Sequence, residues 1–157
     1  MRIGFASDIH QLIDKRPLVL AGVIVPAPYG ELAHSDGDVI YHAIADSILG
    51  ALALGDIGDY FPDNDQTTEG MNSALIIDRI YELMDKKQYK IGNIDITIHL
   101  EEPKISAYKF TMRLNIAHLL KTDIGNVSIK AETNEKLDAI GQKKAVKAES
   151  IVLLLEK

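Results

Sequence analysis

The 157-residue sequence contains no cysteine, which removes thiolate metal sites, cysteine nucleophiles and disulfides together. Any metal it binds is held by His, Asp or Glu. It also lacks an excess of basic charge. Its 17 Lys and Arg stand against 23 Asp and Glu, a formal net charge of −6, which argues against nucleic acid or an anionic membrane surface as a partner. No apolar run approaches the ~20 residues of a membrane span. No signal or transit segment precedes the first strand-like residues, so the expectation is a cytoplasmic protein. No internal repeat, linker or low-complexity stretch divides the chain. At this length the expectation is one domain spanning residues 1–157, which buries roughly two thirds of the surface its unfolded chain exposes and needs no metal to fold. A bound metal is then free to do chemistry.

Apolar periodicity supplies the elements. The opening "RIGFA" alternates as a strand, and "PLVLAGVIVP" reads as a hairpin turning at Ala21 and Gly22. A helix is expected from about Asp38 to Leu54, with Asp36 or Asp38 as its cap and Ile40, Ile44, Ile48 and Ala51 on its apolar side. A second is expected from about Met71 to Lys86. In "NIDITIHL", Ile94, Ile96, Ile98 and Leu100 share one face while Asn93, Asp95, Thr97 and His99 share the other, the signature of a half-buried strand whose polar face meets water or another subunit. A third helix follows Pro103 and includes Ile105, Phe110, Met112, Leu114, Ile116 and Leu119, and "NVSIKAE" and "ESIVLLLE" close the chain as strands. This order predicts an α+β fold, a two-layer domain with helices packed on one side of a mixed sheet.

Several polar residues stand out from this frame. In "ASDIHQ", Asp8 and His10 are two apart, so in a strand both side chains project from one face. His42 lies on the first helix with Asp38 and Asp46 one turn to either side, placing carboxylates where they could fix its second ring nitrogen. Together Asp8, His10 and His42 would form a three-ligand centre with one position open to substrate, the pattern of a catalytic rather than a structural metal. His34 and Ser35 precede the helix start, where unpaired backbone N–H groups attract phosphate. Asp56 lies between Gly55 and Gly58 as an acceptor for hydroxyls, and Thr133, Glu135 and Lys136 offer a hydroxyl, a hard oxygen ligand and a cation. Lys130, Lys136, Lys143, Lys144 and Lys147 form either an anion-binding patch or a solvated lysine face.

The combination of "DIH", "AHSDGDVIYHAIADSILGALALGDIGDYFPD", "IGNIDITI", Pro103 with Lys104, and "KAETNEKL" resembles the 2-C-methyl-D-erythritol 2,4-cyclodiphosphate synthase family over nearly the whole chain. The resemblance implies an enzyme that cyclises 4-diphosphocytidyl-2-C-methyl-D-erythritol 2-phosphate and releases CMP, in the non-mevalonate route to isoprenoid precursors. It implies a homotrimer around a central channel with active sites at the subunit boundaries. Carried over residue by residue, it makes Asp8, His10 and His42 ligands of one Zn²⁺ per subunit, and Glu135 a ligand of Mg²⁺ or Mn²⁺ held with the substrate phosphates. His34 and Thr133 become catalytic residues, with Ser35 beside them on the phosphates. Asp56, Ile57 and Gly58, with Phe61, Asp63 and Asp65, surround the methylerythritol part. Leu100, Lys104, Ile105 and Ser106, with Ala131, Glu132 and Thr133, form the cytidine diphosphate pocket.

Ala139 and Gln142 also stand at substrate-contact positions. There the chain reads "KLDAIGQKKAV" where relatives commonly read KLGFTGRGEGI, and Ala6 replaces the second glycine of a GxGxDxH opening. The alternative activity open to such a metal centre is that of a phosphohydrolase using an activated water.

Overall fold

The computed structural model describes residues 1–62 and 70–157. Three long strands carry the sheet: β1 (Arg2–Asp14), β5 (Tyr89–His99) and β7 (Ala145–Glu156). Short β4 (Tyr29–Glu31) and β6 (Val127–Glu132) form its edges. The spatial order is β4-β1-β7-β5-β6, parallel only between β5 and β6. β2 (Leu18–Leu20) and β3 (Val23–Val25) form the separate hairpin, with Ala21 and Gly22 both at positive φ in its turn, as tight hairpins require. Helices α1 (Val39–Leu52), α2 (Ala74–Lys86) and α3 (Lys109–Leu119) cover one face of the sheet. The mixed sheet with helices on one side is the architecture expected from the sequence. Among the described residues, no helix is long and apolar enough to cross a membrane.

α1 lies against β1 and β7 and is buried on nearly every side, as expected of a helix that is apolar almost all round. Asp38 caps it, accepting from the backbone N–H groups of Ile40 and Tyr41 at 3.2 Å each. It stops at Leu52 rather than Leu54 because Ala53 turns left-handed at φ 55°. Gly4 lets α1 settle on β1: a Cβ there would lie 1.8 Å from the carbonyl oxygen of Ser47. The residues of β1 that alternate with Gly4 also face the helices. The opposite face carries Ile3, Phe5 and Ile9 at 71%, 59% and 55% exposure, and Ile151 of β7, directly across from Phe5, at 50%.

Some boundaries differ from expectation. α2 begins at Ala74, not near Met71. α3 begins at Lys109, leaving Ile105 in the preceding turn, where it is nonetheless buried. β7 extends back to Ala145 because it is clamped between two long partners, β1 and β5. β4 and the single-turn α4 (Asp138–Gly141) are too short to leave a periodic signal. Ala6 sits in regular β1, opposite Ser150, so its added methyl is accommodated.

Candidate metal centre and active-site cavity

Asp8 and His10 project from the α1 side of β1, and His42 reaches them from the first turns of α1. Asp8 Oδ2 is 3.0 Å from His10 Nε2 and 3.3 Å from His42 Nδ1. The three ligand atoms lie within 4.8 Å of one another, the one such group of three among the described residues. The two imidazoles meet edge to face, with centroids 5.1 Å apart.

The outer ring nitrogens are both engaged, by Ser35 and by Glu31, Gly37 and Ser73, which sequence reasoning missed. His10 Nδ1 lies 2.6 Å from Glu31 Oε2 and 2.8 Å from the carbonyl oxygen of Gly37. A carbonyl only accepts, so Nδ1 carries a proton, and Nε2, which faces Asp8 Oδ2, is the nitrogen that would give its lone pair to a metal in place of its own proton. His42 Nε2 is 3.2 Å from Ser73 Oγ and 3.3 Å from Ser35 Oγ. The Ser73 hydroxyl donates to Asp36 Oδ1 at 2.5 Å, so its oxygen accepts from His42 and leaves Nδ1 for the centre. The carboxylates one helical turn from His42 do other work, contrary to expectation. Asp38 is fully buried and accepts from Ala21 N at 2.9 Å and Gly22 N at 2.7 Å besides capping α1. Asp46 accepts from Ile57 N at 2.8 Å, fixing the turn at the cavity mouth.

One carboxylate oxygen and two imidazole nitrogens, with both outer nitrogens tied down, suit a divalent ion of the zinc type. Glu31 Oε1 is buried behind the ligands and has no hydrogen-bond partner among the described residues. Protonation follows from this crowding. Burial opposes ionisation of Asp8, but hydrogen bonds from His10 and His42 outweigh it and hold the carboxyl well below the usual range. Burial likewise opposes charge on His10, yet its bonds to Asp8 and Glu31 push it up to about 10. Burial lifts Glu31 to about 8 and Asp38 to about 6 against the donors that hold them down.

The centre forms one wall of a cavity of about 520 Å³. His34 and Ser35 extend its polar side, while Ile57, Phe61, Met71 and Ile76 make the other side apolar, with Gly58 beside them. Asp56 does not line it: its carboxylate accepts from Gly58 N at 2.9 Å and caps the turn Ile57–Asp59. Asp63 and Asp65 lie outside the described residues.

The remaining candidates gather elsewhere, at the ends of β5 and β6. Leu100 N donates to Glu132 O at 3.0 Å, joining the Leu100–Ser106 segment to Ala131, Glu132 and Thr133. Lys104 and Ser106 are exposed, and Leu100 and Ile105 are buried. Thr133 Oγ1 donates to Glu135 Oε1 at 3.2 Å. Glu101, within the Leu100–Ser106 segment, accepts from Asn134 N and Lys136 N at 3.2 and 3.4 Å and shapes this loop. Ala139 and Gln142 stand exposed beyond it. Three inter-strand spacings, about 14 Å, separate β1 from β6, and Glu135 does not join the Asp8 cluster. Three lysines of the basic group are paired, Lys130 with Asp95, Lys143 with Glu102 and Lys147 with Glu149, which favours the solvated face over an anion patch.

The YgbB family profile matches residues 1–155. The chain is 49% identical over 154 residues to the 2-C-methyl-D-erythritol 2,4-cyclodiphosphate synthase of Brachyspira hyodysenteriae, covering 98% of both chains. It is 42% identical to IspF of Plasmodium falciparum, solved as a CDP complex, with a TM-score of 0.87 over 99% of this chain and 96% of that one. It also matches the bifunctional IspDF of Campylobacter jejuni at 39% identity and a TM-score of 0.95, with 99% of this chain spanning 42% of that longer one. The chain belongs to the YgbB family, the 2-C-methyl-D-erythritol 2,4-cyclodiphosphate synthases.

Proposed function

We propose that the family reaction runs in the cavity beside Asp8, His10 and His42. That reaction is cyclisation of 4-diphosphocytidyl-2-C-methyl-D-erythritol 2-phosphate to 2-C-methyl-D-erythritol 2,4-cyclodiphosphate with release of CMP. The observation that carries this reading is the convergence of three ligand atoms within 4.8 Å on the wall of a half-apolar cavity. Asp8, His10 and His42 hold one Zn²⁺, and Glu135, with Thr133 beside it, holds Mg²⁺ or Mn²⁺ together with the substrate phosphates. Bound there, such ions polarise phosphate oxygens and offset the repulsion between two anionic phosphates.

The chain's own residues bind and orient. His34 and Ser35 take phosphate oxygens at the polar side of the cavity. Ile57, Phe61 and Ile76 exclude water around the methylerythritol carbons. The 2-phosphate is a monoester with a second pKa near ~6 and is mostly ionised at neutral pH, so it attacks without a strong base. Its oxygen bonds to the β-phosphorus, the bond from that phosphorus to the bridging oxygen breaks, and CMP leaves with the electron pair. Alignment of these groups supplies much of the rate.

Two observations support a homotrimer that joins the cavity of one subunit to the β5–β6 loops of the next. The candidate half-sites sit apart on one sheet, at β1 and at the ends of β5 and β6, and Ile3, Phe5, Ile9 and Ile151 leave an apolar strip on the sheet face away from the helices. A closed rotational assembly covers that strip and completes the site. The CDP complex of the Plasmodium falciparum relative supports a cytidine pocket at Leu100, Lys104, Ile105 and Ser106 with Ala131 and Glu132. The test is metal content: one zinc per chain in the wild type, lost in His42→Ala while the fold is kept. Retention of zinc in that variant, or collapse of the fold when zinc is removed, would overturn the reading.

A further inference from the structure

Glu31 is a fully buried acid in direct contact with the metal centre. Three features of its setting need a common explanation. Its Oε2 is 2.6 Å from His10 Nδ1 and also accepts from Val39 N at 3.2 Å, at the start of α1. Its Oε1 is buried without a hydrogen-bond partner among the described residues. Its only ion-pair partner among the described residues is His10. A helix cap alone does not account for this, since capping one N–H needs a single neutral acceptor, and Asp38 already caps the same helix. Burying a carboxylate with one oxygen unsatisfied is costly unless a positive charge lies close by. His10 carries that charge when both its ring nitrogens are protonated, and a cation on Nε2 would carry it in the proton's place.

We infer that Glu31 is a positioning residue for the metal: through its 2.6 Å bond to Nδ1 it holds the His10 ring together with the Gly37 carbonyl, makes Nε2 a stronger donor, and, ionised by a bound dication, supplies a second buried negative charge to match it. The inference rests on the reading that Asp8, His10 and His42 hold a metal. The Gly37 carbonyl also accepts from His10 Nδ1, at 2.8 Å, and is untouched by substitution at Glu31. Glu31→Gln therefore keeps the tautomer and the side-chain volume and removes the charge.

The test loads full-length wild type and Glu31→Gln with Co²⁺ in competition with a chelator of known affinity, and records the visible d–d bands. The cobalt dissociation constant of Glu31→Gln is expected to rise about 10- to 100-fold, as for other partners behind metal-bound histidines, with a shift of the bands. A wild type that binds no cobalt would overturn the metal reading itself. A wild type that binds, with a variant within about twofold of it and identical bands, would overturn the role of Glu31 alone and leave it a cap. Should Glu31→Gln not fold, the zinc-loaded wild type decides by NMR. A His10 Nδ1–H proton far downfield and protected from exchange is expected. A His10 that ligates through Nδ1, with its proton on Nε2, refutes the inference.

Discussion

Replacing Gly4 by alanine separates the two elements that build the metal centre. The new Cβ would stand 1.8 Å from Ser47 O, 2.8 Å from Ala51 N and 2.9 Å from Ala51 Cβ. The first two of these are backbone atoms of α1 and cannot rotate away. An ordinary carbon–oxygen contact is roughly 3.3 Å, so α1 must retreat from β1 by about 1.5 Å. Overpacking of this kind costs about 3 kcal/mol, the upper part of its usual range, and for a domain of this length lowers the unfolding temperature by about 6–12 °C. Because His42 rides on α1 and Asp8 and His10 on β1, the retreat opens a ligand set whose distances tolerate only about 0.2 Å, and zinc affinity falls at least about tenfold. Gly50→Ala on the same helix is the control. Its Cβ would meet nothing within 4 Å, so it should raise stability by about 0.5–1 kcal/mol and leave zinc binding alone. Thermal unfolding in chelator and zinc competition titrations read both effects. A Gly4→Ala protein with wild-type unfolding temperature and wild-type zinc affinity would refute the claim that close approach of α1 to β1 sets the centre.

In chelator, the urea midpoint should fall as pH rises from about 7 to 10. His10, raised from 6.5 to about 10, stabilises the fold below its unfolded value and loses that contribution as pH passes about 10. Glu31, raised from 4.5 to about 8, loses its contribution in the same direction as pH passes about 8. Saturating zinc should abolish the His10 part, and identical pH profiles with and without zinc would contradict this. Phe5→Asp puts a charge on the apolar strip opposite Ile151; light scattering should show monomers and activity should vanish, whereas an intact, active trimer would remove that strip from the subunit contact. Glu135→Gln should lower turnover about 100-fold or more while leaving one zinc per chain by elemental analysis, and loss of zinc in this variant would mean that Glu135 acts at the first centre.

Much of the fold was legible because the chain declares its periods. The alternation of Ile94, Ile96 and Ile98 became the buried face of β5, and the apolar run around Ile40, Ile44 and Ile48 became the buried helix α1 between the sheet and α2. The Asp8 and His10 pair was legible for the same reason, since two residues apart on a strand means one face. What brings His42 to them was not. Ser73 and Asp36, which orient its ring, lie 31 and 6 positions away in sequence on unrelated turns. Glu31 sits on a three-residue strand paired with β1 at Leu12, too short for alternation to mark its side chain as buried. Asp38 and Asp46 misled for a physical reason: helical spacing puts a carboxylate near an imidazole, but nearby backbone N–H groups compete for it, and here they win.

The central claim, that an internal phosphate rather than water attacks the β-phosphorus, is tested most directly by running the reaction in H₂¹⁸O. The account predicts CMP and the cyclic diphosphate in equal amounts, with no solvent oxygen in either product. It also predicts almost no CMP from a substrate lacking the 2-phosphate, because the nucleophile itself is then gone. Solvent ¹⁸O in a product, or rapid CMP release from the truncated substrate, would mean that this centre activates water and acts as a hydrolase.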